Sequence, residues 1–255
     1  MLLTIDIGNT QTAVGLLDGD KVVAHWRLTT IADRTEDELR VYLTGLFGLE
    51  GFNLKDISGV ALASVVPALT AAFRRVGHSI TKGPIIVVGP GVRTGMPILI
   101  DNPREVGADR IANAVAARER HGTPVVVVDF GTSTNFDVVS SDGEYLGGVI
   151  APGVEIATNA LISGTAALRR VEYVPPRSPI GKGTVEAIQS GALYGHAGLV
   201  DGIMERLAAE LGGQVTRIAT GGLASTIVPH CSSVSTIDEH LTLEGLRHIY
   251  ELNTT

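Results

Sequence analysis

Leu2 to Asp20 reads LLTIDIGNTQTAVGLLDGD, and its pattern decides the fold. An apolar run reaches Asp6, the chain turns through Gly8-Asn9-Thr10, and a second apolar strand runs from Thr12 to Leu17. Asp18-Gly19 supplies the tight turn that joins antiparallel strands. A carboxylate closing a buried strand, followed by a Gly-polar-hydroxyl turn, is a way to hold a phosphate and its metal. Gly8 lets the backbone approach the phosphate, Asn9 and Thr10 with nearby N–H groups donate to its oxygens, and Asp6 faces the cation. The same plan returns in Val125 to Gly143, VVVVDFGTSTNFDVVSSDG. There Asp129-Phe130-Gly131-Thr132 follows four valines and Asp142-Gly143 closes the hairpin. Two copies of one strand–Asp-x-Gly–strand unit, about half a chain apart, predict two similar α/β domains facing each other across a nucleotide.

The bulk composition fits. At 255 residues the chain is long enough for two domains, and 44% hydrophobic with 18% charged residues describes a globular chain with a real core. A net charge of −7 and the lack of a Lys/Arg cluster argue against a nucleic-acid partner. The single cysteine, Cys231, excludes an internal disulfide framework and points to a cytoplasmic protein; it reads as a packing residue. MLLTIDI is a strand and not a signal peptide, and no apolar run approaches the ~20 residues of a membrane helix.

Around the two motifs the elements alternate. Lys21 to Leu28 is a third strand with Trp26 inside it, and Thr35-Glu36-Asp37-Glu38 is a capping box opening a helix with Leu39, Tyr42, Leu43, Leu46 and Phe47 on one face. Val60 to Val65 is a buried strand, Pro67 begins a helix to about Ile80, and Ile85 to Val88 is a short strand. Gly89 to Arg104 is a loop or the path between the two halves. Helices follow over Ala108 to Arg120, Val154 to Ile162, Thr184 to Leu211 and Leu243 to Leu252, with strands over Tyr145 to Ile150 and Arg217 to Thr220. The expected domains are 1–112 and 113–255.

A third turn, Thr220-Gly221-Gly222-Leu223-Ala224, sits at a strand end where the backbone can pass the flat face of an adenine. Phosphate motif, second phosphate motif and Gly-Gly turn, in that order, resemble the superfamily of acetate kinase, sugar kinases, heat-shock chaperones and actin. That resemblance implies two ribonuclease H-like domains of the actin-like ATPase type, with the nucleotide in the cleft between them.

Asp101 to Arg110, DNPREVGADR, narrows the resemblance to type III pantothenate kinase. The family has a DIGNT start, a Gly-Ala-Asp-Arg segment before a helix, a DFGT motif and a Gly-Gly-x-Ile-x-Pro-Gly turn. This chain has Asp6 to Thr10, Gly107 to Arg110, Asp129 to Thr132 and Gly147 to Gly153, so the match runs nearly end to end. The resemblance implies ATP-dependent phosphorylation of pantothenate, the first committed step of coenzyme A synthesis, by a cytoplasmic homodimer.

Carried over by position, Asp109 is the general base on the pantothenate hydroxyl; from the residues alone, an Asp at a helix start equally reads as a cap. An ordinary carboxylate is a weak base at neutral pH. It still serves, because phosphoryl transfer is largely dissociative and positioning outweighs basicity. The resemblance assigns ATP contacts to Asp6, Ile7, Gly8, Asn9, Thr10, Gln11, Thr12, Ala13 and Thr132, with Asp6 acting through Mg²⁺. It assigns Asp129 to a monovalent cation, K⁺ or NH₄⁺. Gly107, Ala108, Asp109, Arg110, Ile100 and Thr184 become substrate contacts; Arg110 equally reads as a salt-bridge partner, and Thr184 as a helix N-cap.

The chain departs from the family at two places. Ile100 stands where an aromatic residue, typically Tyr, packs on the pantothenate, and Ser133 and Asn135 replace Ala and Thr after DFGT. The seven histidines form no ligand cluster, and His196 reads as a core residue. Ile100, Leu161, the small-residue helix from Thr184 and the Trp26 strand offer apolar surface for a second copy. Two rivals remain: a kinase for another small hydroxyl substrate, against which GADR argues, and a nucleotide-binding regulator without turnover, which has no need of the base.

Overall fold

The computed structural model describes residues 1–165 and 168–254. It divides into two compact units, Met1–Ala116 with His240–Thr255, and Ala117–Glu239.

The first unit is built on a five-stranded sheet of β1 (Leu2–Ile7), β2 (Gln11–Asp18), β3 (Lys21–Thr29), β4 (Gly59–Ser64) and β5 (Ile85–Val87), in the order β3-β2-β1-β4-β5. β1, β2 and β3 form an antiparallel meander; β4 runs parallel to β1, and β5 parallel to β4. Period-two alternation sends Leu3, Ile5 and Ile7 of β1 into a core with Leu39, Leu43 and Phe47 of α1 (Glu36–Leu49) and Leu69, Phe73 and Val76 of α2 (Pro67–Ile80). α1 begins at the expected capping box, in which Glu38 N–H donates to Thr35 Oγ1 at 3.3 Å and Thr35 N–H to Glu38 Oε2 at 2.7 Å. Trp26 stacks on Phe47 with ring centroids 5.1 Å apart, as a packing residue should. α3 (Ala108–His121) follows the long irregular segment, which holds a single 3₁₀ turn at Pro103–Glu105.

The second unit repeats the plan. β6 (Val125–Phe130), β7 (Ser133–Val139), β8 (Tyr145–Pro152), β9 (Thr216–Thr220) and β10 (Thr236–Ile237) stand in the order β10-β9-β6-β7-β8, which is the first sheet's order read from the other edge. The same pairs are antiparallel and the same pairs parallel. Both meanders even slip register at matching places, between Leu16 and Leu17 and between Val138 and Val139. Helices α4 (Val154–Ser163), α5 (Thr184–Glu210) and the short α6 (Ala224–Ile227) complete this unit, with Leu193, Val200 and Met204 of α5 packed in one core with Val126 and Val128. His196 is buried within α5, its Nδ1 2.9 Å from Ala192 O, so the core reading holds. Cys231 is half-buried, and burial pushes its thiol up to about 11, as for an inert packing residue.

The last helix, α7 (Leu241–Thr254), differs from the expected division at residue 112: it belongs to the first unit. Buried Leu243, Leu246 and Ile249 give it an apolar face, and the sheet leaves space for it at two glycines. A Cβ on Gly15 would lie 2.8 Å from Leu243 Cδ1, and one on Gly59 would run into the Tyr250 ring. β10 and α6 have no counterpart in the sequence reading.

Candidate active site

In the first unit Asp6 is the last residue but one of β1, paired with Ala13 on β2 and flanked by Ala63 on β4. The turn beyond it is held from inside and from outside. Gly8 N–H donates to Gln11 O at 3.0 Å, and Thr30 N–H donates to Thr10 O at 2.9 Å. Thr30 Oγ1 also donates to Gly8 O at 2.8 Å and shares a 2.9 Å hydrogen bond with Thr12 Oγ1. The carbonyls of Gly8, Thr10 and Gln11 are tied back into the protein, and the side chains of Asn9, Thr10 and Gln11 are exposed. Ile7 is fully buried in the core and Thr12 is buried with its hydroxyl on Thr30, so these two shape the turn from behind. Thr30 is the residue that sequence reasoning missed. No local pattern marks it, because it reaches the turn only through the register of β2 on β3.

In the second unit Asp129 is the last residue but one of β6, between Asn135 on β7 and Thr220 on β9. Gly131 N–H donates to Ser133 O at 3.0 Å, and Thr132 is exposed at the tip. Two glycines press against this turn. Gly221 has φ +95°, in the left-handed region that favours glycine, and a Cβ there would run into Asp129 Oδ1 and lie 2.6 Å from Phe130 N. A Cβ on Gly153, the residue before α4, would run into Thr132 O and lie 2.8 Å from Gly131 O. Gly221 thus shapes the surroundings of the Asp129 carboxylate, beyond any role as an adenine platform.

Asp109 is the second residue of α3. Helical hydrogen bonding already begins with Ile111 N–H donating to Gly107 O at 3.1 Å, so Asp109 lies inside the first turn and not at the N-cap. Its Oδ1 is buried and has no hydrogen-bond partner, and a Cβ on Gly107 would run into that atom. The preceding segment is ordered by Asn102, whose Oδ1 accepts from Arg104 N–H at 3.3 Å and whose Nδ2 donates to Glu105 Oε1 at 2.6 Å. Ala108 is buried, while Ile100, Gly107 and Arg110 are half-buried.

Thr184 opens α5 with its side chain exposed, but the N-cap is Gly183, so the capping reading of Thr184 is corrected. The anchor is Glu186 at the third helical position. It accepts from Lys182 N–H at 3.2 Å and from Arg177 Nε at 2.5 Å, which folds the segment around Ile180 onto the helix start. The Arg177 hydrogen bond, helped by Lys182 N–H, holds the Glu186 carboxyl below its usual range. Asp6, Gly8 to Gln11, Ile100 and Gly107 to Arg110 belong to the first unit; Asp129, Thr132 and Thr184 belong to the second.

A profile of the type III pantothenate kinase family matches residues 2–206. The type III pantothenate kinase of Frankia alni is 54% identical over 254 residues, covering 99% of this chain and 100% of that protein. The chain belongs to the type III pantothenate kinase family. Its fold is that of the actin-like ATPases and sugar kinases. A component of the Acidaminococcus fermentans (R)-2-hydroxyglutaryl-CoA dehydratase superposes with a TM-score of 0.55 at 14% identity, covering 98% of this chain and 96% of that one. The ROK hexokinase of Thermus thermophilus gives a TM-score of 0.51 at 14% identity, over 98% of each chain. As a type III pantothenate kinase family member the chain keeps DIGNT, GADR and DFGT in order, each at a strand end or helix start.

Proposed function

We propose that this chain transfers the γ-phosphoryl group of ATP to the primary hydroxyl of pantothenate, the entry step of coenzyme A synthesis. The observation that carries the reading is the Asp109 carboxylate: Oδ1 is buried, has no hydrogen-bond partner, and does not cap α3. Buried polar atoms are nearly always paired, so an unpaired carboxylate oxygen that does not cap its helix supports a role for Asp109 beyond local structure.

The exposed side chains of Asn9, Thr10 and Gln11, with the backbone of Asp6 to Ala13, receive ATP phosphates, and Thr132 donates to a phosphate oxygen. Gly107, Ala108, Arg110, Ile100 and Thr184 contact pantothenate. Ile100 makes an aliphatic wall there. Asp109 accepts the hydroxyl proton as that oxygen bonds to the γ-phosphorus and ADP departs. The transfer is largely dissociative, so the proton leaves late and a well-placed carboxylate suffices.

Among the described residues no three His, Cys, Asp or Glu side chains gather to hold a metal ion. Single carboxylates fit the ions expected here, because Mg²⁺ is commonly held by one or two carboxylates and the substrate's own phosphates. Asp6 is the residue for it, and the ion supplies charge neutralisation on those phosphates. Asp129 suits a monovalent cation, and Asn135 Oδ1, buried without a partner on the paired strand, is a second oxygen of the required kind.

We also propose a homodimer in the cytoplasm. Leu146, Ile150, Ile156 and Leu161 on β8 and α4 are 40%, 67%, 48% and 51% exposed, an apolar surface suited to a second copy. Light scattering that returns a monomer mass removes this part. No helix among the described residues is long and apolar enough to cross a membrane.

The test of the catalytic reading is Asp109→Asn. ATP binding should stay at the wild-type level while pantothenate phosphorylation falls by about 10²-fold or more, the scale of a lost general base. Turnover close to wild type in this variant rejects the assignment.

A further inference from the structure

Glycines pressed against neighbouring atoms differ in what they press against. At Gly153 and Gly181 an added Cβ would run into main-chain atoms, of Thr132 and of Ala187 respectively, so those glycines serve backbone packing. At Gly107 the three nearest atoms are all side-chain atoms: Asp109 Oδ1, which the Cβ would strike, then Asp109 Cγ at 3.5 Å and Arg110 Cγ at 3.7 Å. Gly107 is also absent from the glycines with positive φ. Neither backbone conformation nor main-chain packing requires glycine there. What occupies the space of the missing side chain is one oxygen of Asp109, and that same oxygen is buried with no hydrogen-bond partner.

These two facts describe one feature. A short carboxylate on the first turn of a helix has several staggered positions open to it, most of them reaching water or a backbone N–H. Asp109 instead keeps one oxygen in the notch over Gly107. We propose that Gly107 is a positioning residue for the reaction: by lacking a Cβ it sets the side-chain rotamer of Asp109 and thereby aims the carboxylate at the acceptor hydroxyl. The inference rests on the reading of Asp109 as the base. It adds that the glycine of GADR acts through that carboxylate, beyond any contact of its own backbone with substrate. A methyl group at 107 leaves the helix intact and turns the carboxylate out of the notch. A displacement of about 1 Å at a reacting group costs on the order of 10²-fold in rate.

The experiment is a cycle of Gly107→Ala, Asp109→Ala and the double variant, each read by thermal melting and by steady-state kinetics in pantothenate and ATP. In the wild-type background Gly107→Ala should lower kcat by about 10- to 100-fold with the KM for ATP unchanged. In the Asp109→Ala background, where the notch is empty, it should lower kcat by a far smaller factor and leave the melting temperature as it was. Wild-type kcat in Gly107→Ala overturns the proposal, and so does an equal proportional loss in both backgrounds, which would make Gly107 act on its own. If Asp109→Ala keeps wild-type turnover, the base assignment fails instead. The melts then judge the notch alone, since Gly107→Ala should change the melting temperature only while the carboxylate is present. A Gly107→Ala chain that does not fold is read the same way: folding restored by Asp109→Ala supports the notch, and folding not restored overturns it.

Discussion

The two Asp-x-Gly turns stand on sheets of the same topology and share one internal backbone hydrogen bond, yet differ in what surrounds them. In the first, residues Gly8–Gln11 span from Ile7 to Thr12, and the loop is fastened by hydroxyls through Thr30 and Thr12. In the second, Gly131–Ser133 span from Phe130 to Thr134, one residue fewer, and the loop is hemmed in by the backbones at Gly153 and Gly221. A hydroxyl network can stretch by a few tenths of an ångström and re-form. A backbone packed on backbone cannot. The first turn is therefore the adaptable one and the second the rigid one, which suits the roles proposed for them, accepting a polyphosphate and holding a carboxylate in place.

Substitutions on each side test that contrast. The largest effect is expected for Gly221→Ala, which combines a strained φ with collision against Asp129 and the Phe130 backbone. It should cost about 3 kcal/mol in urea unfolding. A loss under about 1 kcal/mol would mean that the second turn gives as easily as the first. Thr30→Val removes two hydrogen bonds from the first turn and should cost about 1 kcal/mol, with the KM for ATP raised several-fold and kcat little changed. An unchanged KM would detach Thr30 from nucleotide binding.

The smallest effect is expected at Glu186, which is part of neither turn. Its carboxyl is held below the ordinary value by Arg177 and Lys182 N–H, so its contribution is present above the usual carboxylate pKa of ~4.3 and lost as pH falls through the lowered value. Glu186→Gln should lower the melting temperature slightly at pH 7, and the difference should close in strong acid. A gap that persists in acid would assign the effect to shape and not to charge.

Much of this was legible in the sequence, for physical reasons that also set the limit. Alternating apolar residues ending in Asp-x-Gly announce a strand and its turn because both signals are local, and so does the capping box at Thr35. The α7 helix was legible as a helix but not as a member of the first unit, since its partner surface depends on space left at Gly15 and Gly59, far away in the chain. Thr30 and the notch at Gly107 were invisible for the same reason: one needs the strand register, the other the rotamer of a neighbouring side chain. The GADR motif named Asp109, whereas only the structure decides between cap and unpaired carboxylate.

The measurement that bears most directly on the account is a coupled assay of ADP release with ATP and Mg²⁺, with and without pantothenate, run in K⁺ and again in Na⁺. The account predicts ADP release that depends on pantothenate and on K⁺. Equal turnover in both salts would keep the kinase and remove the cation from Asp129. ATP binding with no pantothenate-dependent ADP release in either salt would contradict the central claim.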